Sequence, residues 1–421
     1  MLQWNELHPY SAIHVVRIAG PFEGARLRTC INTTLEMRGL SRLNLDVRHG
    51  TYQYEGGPSD CDLQTINDSP DTFGALVAEM QRQLNLPFIH TDAFRPFRFL
   101  VAPSGDSFFL GLVYFHAVAD AGSVVLLLKE IVDRYLEKHA SMSSAEPELY
   151  PEGRAHLLRH HPMVVARRLL GLPAQIRRLR QSHRAGYRDA GNMTNGFTCF
   201  VVSPEELRPL VAAAKSWEVT VNDVFMALLM KSLSPRAAAR QRSRQRRKIS
   251  LGCIVNLRKD LAVDSRRTFG LFLGSFTVSH EVPDGMSLRE LAGDVARQTS
   301  LIKRHKLYLG SPLELGLARL ALKFFSPARR KTFYPKNYPL WGGVTNMNLN
   351  SLWEQDGGPP PLDYFRAVST GPVTPLVLSV TTVGDRANIG LSYRTTVFSA
   401  ADIEKLERHF KEHLKETRSD V

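Results

Sequence analysis

The stretch from Leu110 to Ile131, "LGLVYFHAVADAGSVVLLLKEI", decides how the rest of the chain is interpreted. It begins with an apolar run typical of a buried strand and ends with an apolar run typical of a helix. Between the two runs lie His116 and Asp120, four residues apart, and then Ala-Gly-Ser. A titratable pair at the junction of two core elements needs a structural or chemical reason, because burying charge costs free energy.

At the end of a strand, His116 would project from a rigid element, which suits a general base, since neutral imidazole accepts a proton near pH 7. Asp120 could orient the ring, or turn away and pair with an arginine. Backbone N–H groups at Ala121 and Gly122 could support a developing oxyanion. The spacing is equally consistent with a core histidine followed by a helix N-cap, supplied by Asp120 or Ser123. Spacing alone leaves both interpretations open.

The composition predicts a globular protein with room for two lobes. The chain has 421 residues, of which 43% are hydrophobic and 23% charged. We find no signal-peptide pattern and no apolar run long enough to span a bilayer, so we expect a cytoplasmic protein. The four cysteines, Cys30, Cys61, Cys199 and Cys253, lack paired spacing and are expected to be reduced thiols.

The net charge of +13 favours acidic partners. The segment Arg154–Arg188 mixes Arg with Leu, Ile and Val at roughly helical spacing, with predicted breaks at Pro162 and Pro173. Such a helix could lie on an anionic membrane surface, here the inner face, or pack its apolar side on its own domain. The run Arg236–Lys248 has almost no apolar content and is predicted to be a solvated loop.

Several other chemistries lack support. No zinc-finger, RNP-like or clear helix-turn-helix pattern accompanies the arginines, so we expect no nucleic acid partner. Ser123 and Ser275 lack a GxSxG elbow, and the chain has no P-loop or GxGxxG. His156 and His160 could share a helix face as metal ligands, but no carboxylate pattern accompanies them, and we expect no metal.

Strand and helix patterns occur in both halves of the chain without regular βαβ alternation. We therefore predict an α+β fold with two lobes, residues 1–190 and 191–421, each a mixed sheet with helices on one side.

Several stretches resemble one enzyme superfamily. "YFHAVADAGS" resembles the HxxxD(G) motif of the acyltransferases that include chloramphenicol acetyltransferase, plant BAHD enzymes, peptide-synthetase condensation domains, wax ester synthases and polyketide-associated acyltransferases. The stretches "TVNDVFMALLMKSL", "CIVNLRKDL", "FGLFLGSFTV", "VTNMNL" and "LSYRTTVFSAADIEKL" resemble the same family in the same order, as does the opening "WNELHPYSAIHVVRIAGPFEGARLRTCI". The likeness covers nearly the whole chain.

The resemblance implies a pseudo-dimer of two chloramphenicol-acetyltransferase-like lobes with a tunnel between them. An acyl thioester, on coenzyme A or on the phosphopantetheine of an acyl carrier protein, would enter from one face. A small-molecule, sugar or lipid acceptor would enter from the other. The transfer would need no covalent acyl-enzyme and no bound cofactor, and a monomer would be sufficient.

Carried onto this sequence, the resemblance makes His116 the base and Asp120 a structural acid. Arg258 in "VNLRKDL" is the candidate partner of Asp120, ahead of Arg38 and Arg42. Ser123 is a candidate for the substrate channel. Asn346 in "VTNMNL" is another, although a turn-forming asparagine is equally plausible there.

The chain departs from the family pattern at three positions. Phe115 stands where many members carry a first histidine, Ala121 stands where glycine follows the aspartate, and Leu271 replaces the asparagine of Phe-Gly-Asn. If position 121 required a positive φ, alanine there would be strained. An alternative is therefore a non-catalytic relative that binds acyl chains or a carrier protein.

Overall fold

The chain is described by a computed structural model. It describes residues 2–6, 8–46, 49–66, 70–89, 92–137, 148–149, 162–261, 263, 268–311, 314, 316, 320, 322, 324–354 and 360–419.

The first half begins with strands and helices that match the apolar periodicities of the sequence. Its strands are β1 (Ser11–Ala19), β2 (Arg42–Asp46), β3 (Thr51–Glu55), β4 (Leu63–Thr65), β5 (Phe97–Ser104), β6 (Ser107–Phe115) and β7 (Glu148–Leu149). Its helices are α1 (Leu2–Asn5), α2 (Gly24–Met37), α3 (Thr72–Leu84), α4 (Ala121–Tyr135) and α5 (Pro162–Arg180).

The second half has the same mixed character. Its strands are β8 (Asn195–Val202), β9 (Ile249–Asn256), β10 (Thr268–Phe269), β11 (Leu273–His280), β12 (Gly342–Asn348), β13 (Asp363–Val368), β14 (Leu376–Val383) and β15 (Arg386–Arg394). Its helices are α6 (Pro204–Ser216), α7 (Val221–Leu233), α8 (Leu288–Arg304), α9 (Pro327–Asn337), α10 (Asn350–Glu354), α11 (Ala400–Leu414) and α12 (Glu416–Ser419), with 3₁₀ turns at Ala238–Arg242 and Leu307–Gly310.

Two sheets form the cores of two lobes. The N-terminal sheet has the order β13-β1-β6-β5-β4, and only the β4–β5 pair is parallel. The C-terminal sheet has the order β11-β9-β12-β14-β15-β8, in which β12 runs parallel to both β9 and β14. Every residue of β6 is buried, as its uninterrupted apolar run predicts. The predicted α+β fold with two sheet-based lobes is confirmed.

One strand crosses between the halves. β13 belongs to the second half by sequence, but it pairs antiparallel with β1, with Ala12 opposite Val368 and Arg17 opposite Asp363. The sheet of the first lobe is therefore completed by residues near the end of the chain. The division at residue 190 stays a prediction for the rest of the two halves.

The basic segment differs from its prediction. α5 begins at Pro162, where a proline fits the first turn, but it continues through Pro173 to Arg180, so the predicted break at Pro173 is wrong. The helix packs on the Leu307–Gly310 turn, and Gln175, two residues after Pro173, donates to the Glu314 carboxylate (3.1 Å). These contacts offset the backbone bond that proline removes. Residues 154–161, with His156 and His160, lie outside the described residues.

The run Arg236–Lys248 is not uniformly solvated. Arg240 is only 1% exposed, and its guanidinium donates to the carbonyls of Ser234, Glu281 and Val282. The prediction of a solvated loop is wrong at this residue, because these buried carbonyls need a donor and a charge pattern does not reveal them. None of the helices in the described part of the chain is long and apolar enough to cross a bilayer.

The two lobes approach each other closely where Gly390 of β15 meets β13. A Cβ added at Gly390 would lie 2.1 Å from the carbonyl oxygen of Arg366, which is backbone and cannot move aside easily. We expect Gly390→Ala to lower the free energy of unfolding by about 1–3 kcal/mol or more, as overpacking does. Urea denaturation measures this change.

Gly186→Ala is the matched control, because a Cβ there meets nothing within 4 Å. Equal stability of the two variants would contradict the close approach at Gly390.

Candidate active site

A cavity of about 250 Å³ lies between the two sheets. Its N-terminal wall comes from β1 and the end of β6, with Ala12, His14, Tyr114 and His116. Its C-terminal wall comes from β9, β11, β12 and β14, and glycines 252, 274, 342 and 343 line it. Glycine has no side chain, so the strands leave open space beside Gly252 and Gly343, where an added Cβ would meet nothing closer than 3.5 Å.

His116 is held at the end of β6. Its backbone N–H donates to the Tyr10 carbonyl (3.1 Å), and its ring stacks on the Tyr10 ring at a centroid distance of 5.1 Å. Nδ1 lies 2.9 Å from the carbonyl oxygen of Ala119. A carbonyl can only accept, so Nδ1 carries the hydrogen, and in the neutral ring Nε2 has a free lone pair.

Burial lowers the pKa of His116 below its usual value of 6.5, while the bond to Ala119 and the charge of Asp120 oppose the shift. The side chain is 8% exposed. Desolvation disfavours the charged imidazolium, so the ring is neutral at pH 7. A neutral ring with an unprotonated Nε2, facing a cavity, has the form that a general base requires.

Asp120 binds Arg258 in a buried, two-pronged ion pair. Arg258 Nη1 lies 2.8 Å from Oδ2 and Nη2 lies 3.0 Å from Oδ1, and the side chains are 4% and 1% exposed. Oδ1 also accepts the N–H of Ser123 (2.9 Å), which caps α4, and Oδ2 accepts the N–H of Phe272 (2.9 Å). Of the two roles left open for Asp120, the geometry therefore matches the pairing with an arginine.

The other two arginines that were candidate partners of Asp120 have different surroundings. Arg38 pairs with Glu130 at 2.9 Å, and Arg42 is an exposed residue of β2. Arg258 also stacks over the Phe272 ring at 4.3 Å. A Cβ at Gly122 would come within 3.1 Å of Arg258 Nη1, so glycine there allows the close approach of the guanidinium.

Ala121 is the first residue of α4, and it lines the cavity. It is not one of the described residues with positive φ, so alanine at this position carries no strain. The N–H groups of Ala121 and Gly122 belong to the first turn, where no intrahelical acceptor exists. The N-terminus of a helix favours negative charge, as an oxyanion would supply.

Ser123 and Asn346 are placed differently from their prediction as channel residues. Neither is among the described residues that line the cavity. The Ser123 hydroxyl donates to the carbonyl of Gly270 (3.0 Å) and accepts from Arg258 Nη2 (2.7 Å), so it joins the interlobe network. Thr345, the neighbour of Asn346 on β12, lines the cavity instead.

The structure explains one of the two remaining departures from the family pattern, Phe115, and does not explain the other, Leu271. Phe115 is fully buried and packs against Phe88 and Phe94, on the face of β6 opposite Tyr114 and His116. Its side chain therefore belongs to the lobe core. Nothing in the structure explains Leu271, which lies outside the cavity lining as far as the described residues define it.

The cavity wall includes Tyr10, His14 and Arg366, none of which was a candidate site residue from the sequence. Only His14 carried a local signal, as a histidine at an alternate position of the apolar strand "SAIHVVRIA". Among the described residues, no group of three or more His, Cys, Asp or Glu side chains could hold a metal ion.

Comparison with known proteins identifies the family. Residues 170–421 match the sequence model of the condensation domain, and this match covers more than half of the chain. The chain therefore belongs to the condensation-domain family, whose members are typically transferases that form amide or ester bonds. No curated protein sequence is similar enough to this chain to count as a match.

Solved structures share the whole fold at low identity. The first condensation domain of the calcium-dependent antibiotic synthetase, in complex with a substrate analogue, is 17% identical over 99% of this chain and 94% of its own, with a TM-score of 0.74. The epimerization domain from the third module of tyrocidine synthetase B is 13% identical over 99% and 92%, with a TM-score of 0.65.

The EpoB cyclization-docking bidomain from Sorangium cellulosum is 12% identical over 97% of this chain and 80% of its own, with a TM-score of 0.69. These neighbours are named for different reactions, so the shared fold alone does not select one. The predicted two-lobed architecture of the chloramphenicol-acetyltransferase type is confirmed.

The Asp120–Arg258 pair makes a testable prediction about stability. We expect Asp120→Ala and Arg258→Met each to lower the free energy of unfolding by about 3–5 kcal/mol, because each leaves an unpaired buried charge. The double variant should lose less than the sum of the two, since it leaves neither charge unpaired. Urea denaturation of the four proteins measures the coupling.

Arg208→Ala serves as the control, because Arg208 and Asp385 form a pair of similar length (2.9 Å) that is 73% and 52% exposed. We expect its cost to stay below about 1 kcal/mol. Strict additivity of the Asp120 and Arg258 changes would contradict direct pairing.

Proposed function

We propose that this protein is an acyltransferase that moves an acyl group from a thioester to a hydroxyl or amine acceptor. The observation that carries the proposal is His116: its Nδ1 is tied to the Ala119 carbonyl, its pKa is lowered, and it faces the interlobe cavity. Membership of the condensation-domain family supports the same class of chemistry.

In the proposed reaction, His116 Nε2 accepts the proton of the acceptor O–H or N–H. The acceptor oxygen or nitrogen attacks the thioester carbonyl, and the carbonyl oxygen becomes an oxyanion near the start of α4. The oxyanion collapses, the C–S bond breaks, and the thiolate takes the proton back from His116. Ester or amide and free thiol are the products. General-base help of this kind is typically worth ~10²–10⁴ in rate.

Asp120 and Arg258 act in this proposal as positioning residues. Their pairing fixes the first turn of α4, whose Ala121 and Gly122 N–H groups are the candidate oxyanion donors. The same turn follows His116 by only a few residues, so the base and the donors are held by one rigid unit.

A second cavity supports a phosphate-bearing donor, either coenzyme A or the phosphopantetheine of a carrier protein. It measures about 500 Å³, and Arg167, Arg178 and Lys248 line it. It shares Gln175 and Phe276 with the first cavity, so the two adjoin. The cationic side chains of this second cavity complement coenzyme A phosphates or an acidic carrier surface.

Contact of α5 with an anionic membrane stays a prediction, which vesicle co-sedimentation would test.

The primary test compares His116→Ala with the unchanged protein. We expect acceptor-dependent thiol release from a panel of acyl-CoA thioesters, reduced at least about 100-fold in His116→Ala because the base is lost. Thiol release is read with a thiol-reactive dye. His305→Ala is the control, since His305 is an exposed residue at the end of α8.

If His116→Ala and the unchanged protein release thiol at the same rate from acyl-CoA, the same comparison is made with acyl-loaded carrier protein as the donor. If neither donor type gives His116-dependent release, the acyltransferase proposal fails. The non-catalytic alternative, a protein that binds acyl chains or a carrier protein, would then stand.

The pH dependence follows from the pKa of His116. Burial lowers this pKa below 6.5, and the base must be unprotonated, so the rate is lost only as pH falls below that value. We expect kcat/KM to be flat across neutral pH and to decline on an acid limb centred below pH 6.5. A limb centred above pH 7 would be inconsistent with a buried His116 as the base.

A further inference from the structure

Arg366 is a buried cation in the wall of the cavity. It lies on β13, is 3% exposed, and lines the cavity that also contains His116. Its Nε donates to Thr381 Oγ1 (2.7 Å) and its Nη1 to Thr345 Oγ1 (3.3 Å). Its Nη2 donates to the carbonyls of Thr345 (3.1 Å) and Val380 (2.6 Å).

These bonds use four of the five N–H groups of a guanidinium, and the remaining one is on Nη1. All of the acceptors are neutral oxygens. Arg366 therefore has hydrogen-bond partners but no counter-charge among them.

No carboxylate of the described residues forms an ion pair with Arg366. Asp363, on the same strand, lies 3.6 Å from Arg17 and 3.7 Å from Arg386. Glu314 is the one carboxylate among the described lining residues, and it accepts from Gln175. Burial lowers the pKa of Arg366 to about 10, so the group is still charged at pH 7. A buried charge without a counter-charge is costly, and an anionic ligand would offset that cost.

His14 provides a second donor next to Arg366. The two residues are directly opposite each other on β1 and β13, so their side chains share one face of the sheet. His14 is 2% exposed, lines the cavity, and has Nδ1 2.8 Å from the Tyr364 hydroxyl. With Tyr364 as the donor to Nδ1, the neutral ring carries its hydrogen on Nε2, where it can donate to a ligand.

We propose that Arg366 and His14 form an anion subsite that binds a carboxylate group of the substrate. This inference rests on the proposed acyl transfer and narrows its substrate: either the acceptor is a hydroxy or amino acid, or the acyl chain ends in a carboxylate. A planar guanidinium and an imidazole N–H are donors that match carboxylate geometry.

The position of the subsite limits the length of that substrate. β6 and β13 lie on opposite sides of β1, so at least two strand spacings, about 10 Å, separate the backbones of His116 and Arg366. A molecule that reaches both residues has several bonds between its carboxylate and its reacting atom.

A purely structural role for Arg366 is the competing explanation, because its bonds tie β13 to β12 and β14. Arg394 provides a matched control for it. Arg394 is 1% exposed, donates to Thr370 Oγ1 and the Gly371 carbonyl, and is not among the described residues that line the cavity. Loss of a buried arginine in general would affect both positions, whereas loss of an anion subsite would affect Arg366 alone.

The first experiment measures binding without catalysis. Melting curves and titration calorimetry of the His116→Ala protein are recorded with adipate and with its neutral diamide. We expect adipate alone to bind, and Arg366→Met in the same background to weaken it at least about tenfold, as loss of a charge-assisted contact does. Arg394→Met should leave adipate binding unchanged. Equal binding of the acid and the diamide to His116→Ala overturns the proposal.

The second experiment separates the two sources of the carboxylate. One arm pairs a neutral acyl-CoA with a hydroxy acid or its amide, and the other pairs a neutral alcohol with succinyl-CoA or butyryl-CoA. A preference for the carboxylate in the first arm assigns the subsite to the acceptor, and a preference in the second arm assigns it to the acyl chain. In either case Arg366→Met should lower the ratio of kcat/KM for the carboxylated substrate to kcat/KM for the neutral one at least about tenfold.

Activity without carboxylate preference in both arms overturns the subsite and leaves the acyl transfer intact. Adipate binding without transfer from either acyl-CoA or acyl-loaded carrier protein keeps the subsite and rejects the acyl transfer. If Arg366→Met does not fold, Arg366→Lys tests the same point, because it keeps the charge, loses the planar fork and should bind adipate with intermediate affinity.

Discussion

The buried ion pair between Asp120 and Arg258 is the constraint on which the site depends. Asp120 begins α4 in the first lobe, and Arg258 follows β9 in the second. Neither charged side chain reaches solvent. Each lobe therefore supplies the counter-charge that the buried residue of the other lobe needs. The pair therefore fixes the position of the lobes relative to each other, and with it the cavity that opens beside His116. Ser123 and the Gly270 backbone extend the same network.

The wall of the cavity carries two separate groups of polar side chains. Near His116 the polar groups are suited to moving a proton and stabilising an oxyanion, while Arg366 and His14 present fixed donors farther along the same wall. Domains named for condensation, epimerization and cyclization share this fold at 12–17% identity, so differences in function among proteins of this fold have to be sought in the side chains of their sites.

The sequence was informative where the signal was local. The strand before His116, the helix after it and the cap at Asp120 follow from apolar periodicity and capping chemistry, and the family resemblance named Arg258, which the structure brings to Asp120. The grouping of His14 with Arg366 could not be predicted, because it depends on pairing between β1 and β13, strands more than 300 residues apart. At Pro173, tertiary contacts outweighed the helix-breaking tendency of proline, and α5 continues to Arg180.

The crossing of β13 has a consequence for how the chain folds as it is made. β1 is synthesised more than 300 residues before β13, and its outer edge has no partner until Asp363–Val368 has been made. An open strand edge is a template for pairing with other chains, and contacts of such high sequence separation form slowly. The first lobe cannot complete its sheet from its own strands during translation, so the protection of this edge from aggregation depends on the later synthesis of β13.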